Sequence, residues 1–177
     1  MIYTTVDSPI GELLLAGEND TLMRLHMQAG RDGPYRPPRE WVRDDDAFAD
    51  ARTQLAEYFA GERREFDVAL DLRGSGYQRR VWNALLEIPY GETTSYGELA
   101  RRIGDPDGAR SVGSANGQNP IAVIVPCHRV IGANGKLVGY GGGLENKRLL
   151  LDLEAGTTPL LTPTSRGALS TSGGLCQ

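Results

Sequence analysis

The spacing of hydrophobic positions changes along the chain and divides it into two parts. In the first part, three short runs alternate apolar and polar side chains and are separated by turn-forming residues: 2–6, 12–16 and 22–27. Such alternation predicts β-strands with one buried face, and the short turns predict an antiparallel meander. Three aspartates at 44–46 introduce a helical pattern, since acidic side chains favour a helix N-terminus. Residues 66–70 alternate again and predict one more strand.

From residue 73 the spacing becomes helical. One apolar stripe repeats at intervals typical of a helix: Tyr77, Val81, Trp82, Leu85 and Leu86. A second helix is predicted after Thr94 and Ser95, which are favourable capping residues. A turn at 104–108 and a short helix of small residues at 109–116 follow, which is the helix-turn-helix order. Helix pairs also occur merely as packing units, so this pattern alone leaves DNA binding open.

Two further elements are predicted around a proline. The apolar run 121–125 predicts a buried strand, and Pro126 should end it because proline lacks an amide hydrogen. The Asn-Gly pair at 134–135 is a hairpin signal between 130–131 and 137–138.

Three consecutive glycines at 141–143 precede a helix predicted at 144–154. They indicate either a backbone that something approaches closely or a flexible connector. Residues 155–177 are rich in Thr, Ser, Pro and Gly and are predicted to form a disordered tail. We therefore predict an α/β N-terminal domain at 1–72, with an antiparallel sheet plus a helix, and a mostly α C-terminal domain with a helix-turn-helix at 73–154.

Composition excludes several classes of protein. With 40% hydrophobic and 24% charged residues, the chain is typical of a globular protein. No apolar stretch is long enough to span a bilayer, and the N-terminus lacks the pattern of a signal peptide, so we expect a cytoplasmic protein without a membrane partner. The net charge is −4, which argues weakly against nucleic acid. Residues 1–72 carry −7 and residues 73–154 carry +2, so only the second part could face phosphates.

The most informative segment is 125–130, Val-Pro-Cys-His-Arg-Val. It places Cys127 beside His128, although the chain has only two residues of each type. A thiol is nucleophilic as thiolate, and an imidazole with a basic neighbour such as Arg129 favours that form. An inert buried cysteine is an equally good interpretation of this segment alone. Cysteine and histidine spacing indicates no zinc site and no disulfide framework, and we assign His26 no functional role.

The motifs taken together resemble one family, the O6-alkylguanine-DNA alkyltransferases, also called methylated-DNA–protein-cysteine methyltransferases. The matching segments occur in the family's order and spacing: 88–92, 95–96, 109–113, 119–120, 125–130, 140–144 and Glu154. The N-terminal part is also similar to the ribonuclease-H-like domain of that family. The resemblance implies direct-reversal DNA repair, in which an alkyl group moves irreversibly from guanine O6 to the protein in a single turnover.

The resemblance also implies the roles of four catalytic residues. Cys127 would accept the alkyl group, and His128 would act as base through a water molecule. Glu154 would orient the imidazole, which is the usual order of nucleophile, base and orienting group. Asn119 would brace the turn before the cysteine, although local chemistry explains it equally well as a simple turn residue before Pro120.

Substrate contacts follow from the same resemblance. Tyr96 would donate to guanine N3, and the backbone amide of Gly141 would point at O6. Carbonyls at Cys127 and Val130 would recognise the exocyclic amine, and Tyr140 belongs to the same binding set. Neither a metal nor another cofactor is implied.

Double-stranded DNA carrying O6-alkylguanine is the implied partner. Arg110 would fill the gap left by a flipped nucleotide, and small neighbours would fit the minor groove. The residues assigned to DNA binding are Tyr96, Ala109, Arg110, Ser111, Gly113 and Ser114. We expect a monomer and leave cooperative binding along DNA open.

Two positions depart from the family pattern, and three other functions compete with repair. Gly141 stands where the family often has serine, and Ala122 where some members have proline, which leaves the size of the alkyl pocket open. A non-catalytic lesion sensor would carry another residue in place of Cys127. A transcription regulator would need a basic recognition helix. A Cys-His hydrolase would need an oxyanion hole and turnover.

Overall fold

The computed structural model describes residues 1–157. The predicted disordered tail lies almost wholly outside the described residues. The first part forms a four-stranded sheet in the order β3-β2-β1-β4 and one helix. Its elements are β1 (Ile2–Val6), β2 (Leu13–Glu18), β3 (Thr21–Met27), β4 (Val42–Arg43) and α1 (Ala49–Phe59).

The antiparallel meander is confirmed by the pairing of β1 with β2 and of β2 with β3. The sheet also contains β4, which pairs with β1 in parallel and which the sequence did not predict. Two residues are too few for a period to be recognised. The strand predicted at 66–70 is wrong, because only Leu70 forms a bridge there, to Leu22.

The second part contains four helices and a two-stranded parallel ladder. The elements are α2 (Gly76–Leu86), β5 (Thr94–Ser95), α3 (Tyr96–Arg102), α4 (Ala109–Gly117), β6 (Val130–Ile131) and α5 (Leu144–Glu154). Helices α3 and α4 form the predicted helix-turn-helix. A capping box of Ser75 and Gln78 begins α2, and the Trp82 indole N–H donates to the carbonyl of Ala115 at 2.8 Å. This bond ties α2 to the second helix of the motif.

The strand predicted at 121–125 is wrong, and the segment is a tight turn. The amide of Val125 donates to the carbonyl of Ile121 at 3.0 Å, and Val123 has a positive φ of 70°, which is unfavourable for a β-branched residue. The turn lies against β3, since Leu25 N–H donates to the Pro120 carbonyl at 2.9 Å and Ala122 N–H donates to the Leu25 carbonyl at 3.1 Å. A short apolar run shows burial, and it cannot by itself distinguish a strand from a turn.

The prediction of a hairpin around 134–135 is also wrong, because the two segments beside the turn do not pair as strands. The turn itself forms, with the Gly132 amide 2.9 Å from the carbonyl of Lys136. However, 137–138 is not a strand, and Val130–Ile131 pairs in parallel with Thr94–Ser95. This pairing brings the start of α3 beside the segment that follows Cys127.

We expect Trp82→Phe to lower the free energy of unfolding by about 1–3 kcal/mol, because it removes a buried hydrogen bond and leaves a small cavity. Urea unfolding at neutral pH measures the change. Trp41→Phe is the control, since Trp41 is only half-buried, and it should cost less than about 1 kcal/mol. Equal losses in the two variants would contradict this account of α2.

Candidate active site

A cavity of about 340 Å³ lies between the two parts of the molecule, with Cys127 in its wall. Tyr140, Gly141 and Ala122 from the second part line it, and Met27 lines it from the first part. Ala122 contributes only a methyl group to the cavity wall. The cavity is therefore built by both parts of the chain.

Cys127 begins a single 3-10 turn, Cys127–Arg129, directly after the tight turn. The residue is 5% exposed. Burial raises the pKa of the thiol, while Asn119, Lys147 and Tyr140 act in the opposite direction. The resting side chain is therefore a neutral thiol, and it needs a base before it can act as a nucleophile.

The cation that acts on the Cys127 thiol is not Arg129, the basic neighbour from which the sequence predicted this effect. Arg129 turns away from the sulfur: its Nη1 donates to the Ile88 carbonyl at 2.6 Å, and its Nε and Nη2 each donate to Glu154 at 2.9 Å. The cation that lowers the pKa of Cys127 is Lys147. The sequence could not show this difference, because Cys127 and Arg129 are near each other in the chain but their side chains have different surroundings in the 3-10 turn.

His128 is fully buried and its Nε2 lies 2.7 Å from Glu154 Oε1. Burial lowers the pKa of the imidazole, although the hydrogen bond to Glu154 opposes this effect. A neutral ring that donates from Nε2 keeps its lone pair on Nδ1. No hydrogen-bond partner for Nδ1 is found among residues 1–157, so this nitrogen is available as a base.

Glu154, at the end of α5, accepts hydrogen bonds from both parts of the chain. Tyr58 of α1 donates its hydroxyl at 2.7 Å, and the Gly91 amide donates at 3.3 Å, in addition to His128 and Arg129. Burial by itself raises the pKa of the carboxyl, but the bonds from His128 and Arg129 outweigh it and lower the pKa to about 2. The carboxylate is therefore ionised at every physiological pH.

Asn119 holds the tight turn that precedes the cysteine. Its Nδ2 donates to the Val125 carbonyl at 2.8 Å, and its Oδ1 accepts from the Ile121 amide at 3.0 Å. Its side chain also lowers the pKa of Cys127. The side chain thus closes the turn at both ends.

Lys147 is a residue of the site that sequence reasoning missed. It is fully buried, and its Nζ donates to the Val130 carbonyl at 2.6 Å and to the Val138 carbonyl at 2.9 Å. Burial lowers its pKa to about 8. Lys147, Leu150 and Glu154 share one face of α5. A lysine on the apolar face of this predicted helix was the sequence feature from which its role could have been recognised.

Of the residues expected to bind the base, Tyr140 and Gly141 line the cavity, while Tyr96 and Val130 lie outside its lining. The Tyr96 hydroxyl donates to the Val138 carbonyl at 3.2 Å, and the Tyr140 hydroxyl is buried with no hydrogen-bond partner among the described residues. The pKa of both tyrosines is raised, first by burial and then by Cys127. The Val130 carbonyl already accepts from Lys147, but a carbonyl oxygen can accept a second hydrogen bond.

Five of the six residues expected to bind DNA lie along α4, and the sixth, Tyr96, begins α3. Arg110, Ser111 and Ser114 are exposed, while Ala109 and Gly113 are half-buried. The opposite side of the helix is buried and carries three side chains: Val112, Ala115 and Asn116. The helix therefore presents one arginine among small residues to solvent and reaches towards the cavity through Asn116.

Comparison with known proteins agrees with this geometry. The family profile described as "6-O-methylguanine DNA methyltransferase, ribonuclease-like domain" matches residues 1–72, and the profile for the DNA binding domain of the same family matches residues 76–156. The chain belongs to the 6-O-methylguanine DNA methyltransferase family. The motif segments between residues 88 and 154 thus all lie within the part of the chain that matches the profile of the DNA binding domain.

Relatives of this methyltransferase family cover most of the chain. A methylated-DNA–protein-cysteine methyltransferase of Mycobacterium tuberculosis is 60% identical over 89% of this chain and 94% of its own length. One from Methanosarcina acetivorans is 53% identical over 87% of this chain and 98% of its own. A crystal structure of Mycobacterium tuberculosis OGT in complex with DNA matches with a TM-score of 0.84 at 58% identity, covering 90% of this chain and 96% of that one.

Two further findings concern residues 1–157. No helix there is both long and apolar enough to cross a membrane. No three side chains of the His, Cys, Asp and Glu types come together there as ligands for a metal ion.

The buried Glu154 carboxylate should make the free energy of unfolding depend on pH in the acid range. A pKa held at about 2 in place of 4.5 corresponds to about 3 kcal/mol of stability, which is present above pH 4.5 and is lost as the pH falls towards 2. Urea unfolding at a series of pH values measures this loss. Glu154→Gln should lose less stability than the wild type over that interval.

Glu98→Gln is the matched control for the acid experiment. Glu98 is an exposed carboxylate paired with Arg101, so its removal should leave the pH dependence close to that of the wild type. A Glu154→Gln variant with the wild-type pH dependence would show that Glu154 does not carry this effect.

Proposed function

We propose that this protein repairs O6-alkylguanine in duplex DNA by transferring the alkyl group irreversibly to its own Cys127. The observation that carries the proposal is a neutral pair at the cavity wall: the buried thiol of Cys127 lines the cavity, and the buried His128 beside it has an Nδ1 without a hydrogen-bond partner among residues 1–157. The similarity to methylated-DNA–protein-cysteine methyltransferases at 60% identity supports the reaction. The relative crystallised with DNA supports DNA as the partner.

The chain's own residues supply the base for the thiol and the groups that stabilise the thiolate. His128 takes the thiol proton through a water molecule, and Glu154 stabilises the resulting imidazolium through the 2.7 Å hydrogen bond. The thiolate then attacks the alkyl carbon, a carbon–sulfur bond forms, and the bond from carbon to guanine O6 breaks. Lys147 and Asn119 stabilise the thiolate, since both lower the pKa of Cys127.

The departing guanine carries negative charge unless donors neutralise it. We assign this task to the Gly141 amide at O6 and to Tyr96 at N3, while the Cys127 and Val130 carbonyls hold the exocyclic amine. Tyr140 closes the same pocket. A preorganised donor of this kind contributes about 3–4 kcal/mol in acyl-transfer enzymes. The product is a thioether that no group in the site can cleave, so one protein repairs one lesion.

The target base must leave the duplex to reach a buried sulfur, at a cost of a few kcal/mol. We assign Arg110 to the gap it leaves, because this side chain is exposed on α4 among small residues that suit the minor groove. Ala109, Ser111, Gly113 and Ser114 provide that narrow surface. We propose that a monomer acts in the cytoplasm, with 1–72 and 73–154 as its two domains.

A lesion sensor without transfer activity is the second candidate. It would bind the flipped base without a nucleophile. The presence of Cys127, with Asn119, His128, Lys147 and Glu154 arranged around it, favours transfer.

Transfer predicts that the protein gains the mass of one methyl group, and no more, when it is incubated with a duplex containing O6-methylguanine. Intact-protein mass spectrometry measures the gain, and peptide mapping locates it on Cys127. Cys127→Ala is the control and should gain nothing. Continued turnover, or a gain that persists in the variant, would exclude the proposed reaction.

Arg110→Ala should slow repair of duplex DNA at least tenfold while leaving transfer from free O6-benzylguanine nearly unchanged, because only the duplex requires base flipping. Single-turnover kinetics on both substrates measure the ratio. Arg102→Ala, another exposed arginine of the helix pair, serves as the control for lost positive charge. Equal losses on the two substrates would show that Arg110 has no part in flipping.

A further inference from the structure

The glycine run that faces the cavity is in contact with the N-terminal part of the chain. The backbone amide of Arg31, in the loop after β3, donates to the Gly141 carbonyl at 2.8 Å. On its other side, the Asn146 amide group donates to the Gly142 carbonyl at 2.9 Å and to the Ile10 carbonyl at 3.3 Å. Two glycine carbonyls are therefore held by donors from two directions.

The contact is too close for side chains. A Cβ on Gly30 would lie 2.7 Å from the Gly141 oxygen and 3.1 Å from the Gly142 Cα. A Cβ on Gly142 would collide with the sulfur of Met27, and one on Gly141 would lie 2.7 Å from a carboxylate oxygen of Asp32. The glycines at 30, 141 and 142 are therefore explained by close packing between the two parts of the molecule.

We call residues 28–35, which make this contact, the β3 loop. Hydrogen bonds join its first residue to its last and connect it to β3. The Gln28 side chain donates to the Tyr35 carbonyl at 3.2 Å and accepts from the Tyr35 amide at 2.9 Å. The His26 Nε2 lies 2.9 Å from the Gly33 carbonyl. The β3 loop thus has a defined conformation, so its Arg31 amide holds a fixed position.

We propose that the β3 loop is a positioning element for alkyl transfer, which fixes the backbone at Gly141 so that its N–H, in the peptide unit before the held carbonyl, points at guanine O6. The proposal rests on the proposed function, since it assigns that amide to the departing oxygen. No acceptor for the Gly141 N–H is found within the described part of the chain. This amide is therefore available to the substrate while the carbonyl of the same residue is held by Arg31.

The physical reason is that a donor to a developing oxyanion works only when it is oriented in advance. Glycines have few intrinsic conformational restraints, and the hydrogen bond from the Gly143 amide to the Tyr140 carbonyl at 3.0 Å closes the segment into a turn without fixing its place against the rest of the molecule. The hydrogen bond from Arg31 and the packing of Gly30 and Met27 hold that turn against the N-terminal part. The N-terminal part would accordingly act on the chemical step although it contributes no reacting group.

Gly30→Ala tests the proposal, because the added methyl group must displace the Gly141 carbonyl. We expect the single-turnover rate with saturating free O6-benzylguanine to fall roughly 10- to 100-fold, because a displaced oxyanion donor should cost less than the roughly 100- to 1,000-fold lost when such a donor is removed, with a smaller change in the half-saturating concentration. Gly76→Ala is the matched control, since a Cβ on Gly76 would meet nothing within 4 Å. It should react at the wild-type rate.

A second reaction separates positioning of the amide from damage to the thiol or the fold. Iodoacetamide alkylates Cys127 without a guanine to stabilise, so its rate at Cys127, separated from that at Cys176 by peptide mapping, should stay within about twofold of the wild type in Gly30→Ala. Arg31→Ala should also behave like the wild type towards the free base, because only the backbone of Arg31 donates. If Gly30→Ala does not fold, Gln28→Ala, which loosens the β3 loop, takes its place and should slow transfer in the same selective way.

The outcomes are distinct. Wild-type rates of transfer in Gly30→Ala, or a parallel fall with iodoacetamide, would overturn the positioning role. Failure of the wild-type protein to take a methyl group from O6-methylguanine in duplex DNA would instead overturn the proposed function. A selective loss in Gly30→Ala or Gln28→Ala supports the β3 loop as the positioning element.

Discussion

The buried carboxylate of Glu154 is the interaction on which the rest of the site depends. It accepts from Tyr58 of the N-terminal part and from His128, Arg129 and Gly91 of the C-terminal part. A buried charge is tolerated only when such partners satisfy it. The same bonds that stabilise the charge therefore orient the imidazole and join the two parts of the chain.

Burial also keeps the resting thiol and imidazole uncharged. It raises the pKa of Cys127 and lowers the pKa of His128, so each is neutral at rest. A neutral thiol resists oxidation and stray electrophiles better than a thiolate does. This matters for a protein that reacts once, because any side reaction of the sulfur consumes the whole molecule.

The comparison of prediction with structure shows where local pattern stops being informative. The meander and all of the predicted helices formed because each has a period long enough to recognise. The run 121–125 was recognised as buried but not as a turn, because its shape is imposed by Asn119 and by the backbone of β3. Arg129 was given the task that Lys147 performs, since sequence adjacency does not show which way a side chain points.

The sequence by itself determined the class of fold, through period and turn residues, and its resemblance to the alkyltransferase family supplied the expected nucleophile and partner. Only the tertiary structure decided how the glycine run is held, which cation faces the sulfur and where Tyr58 binds. Those facts depend on contacts between residues far apart in the chain, such as Tyr58 with Glu154 and Arg31 with Gly141. No local pattern encodes them, since each arises when the two parts of the molecule pack together.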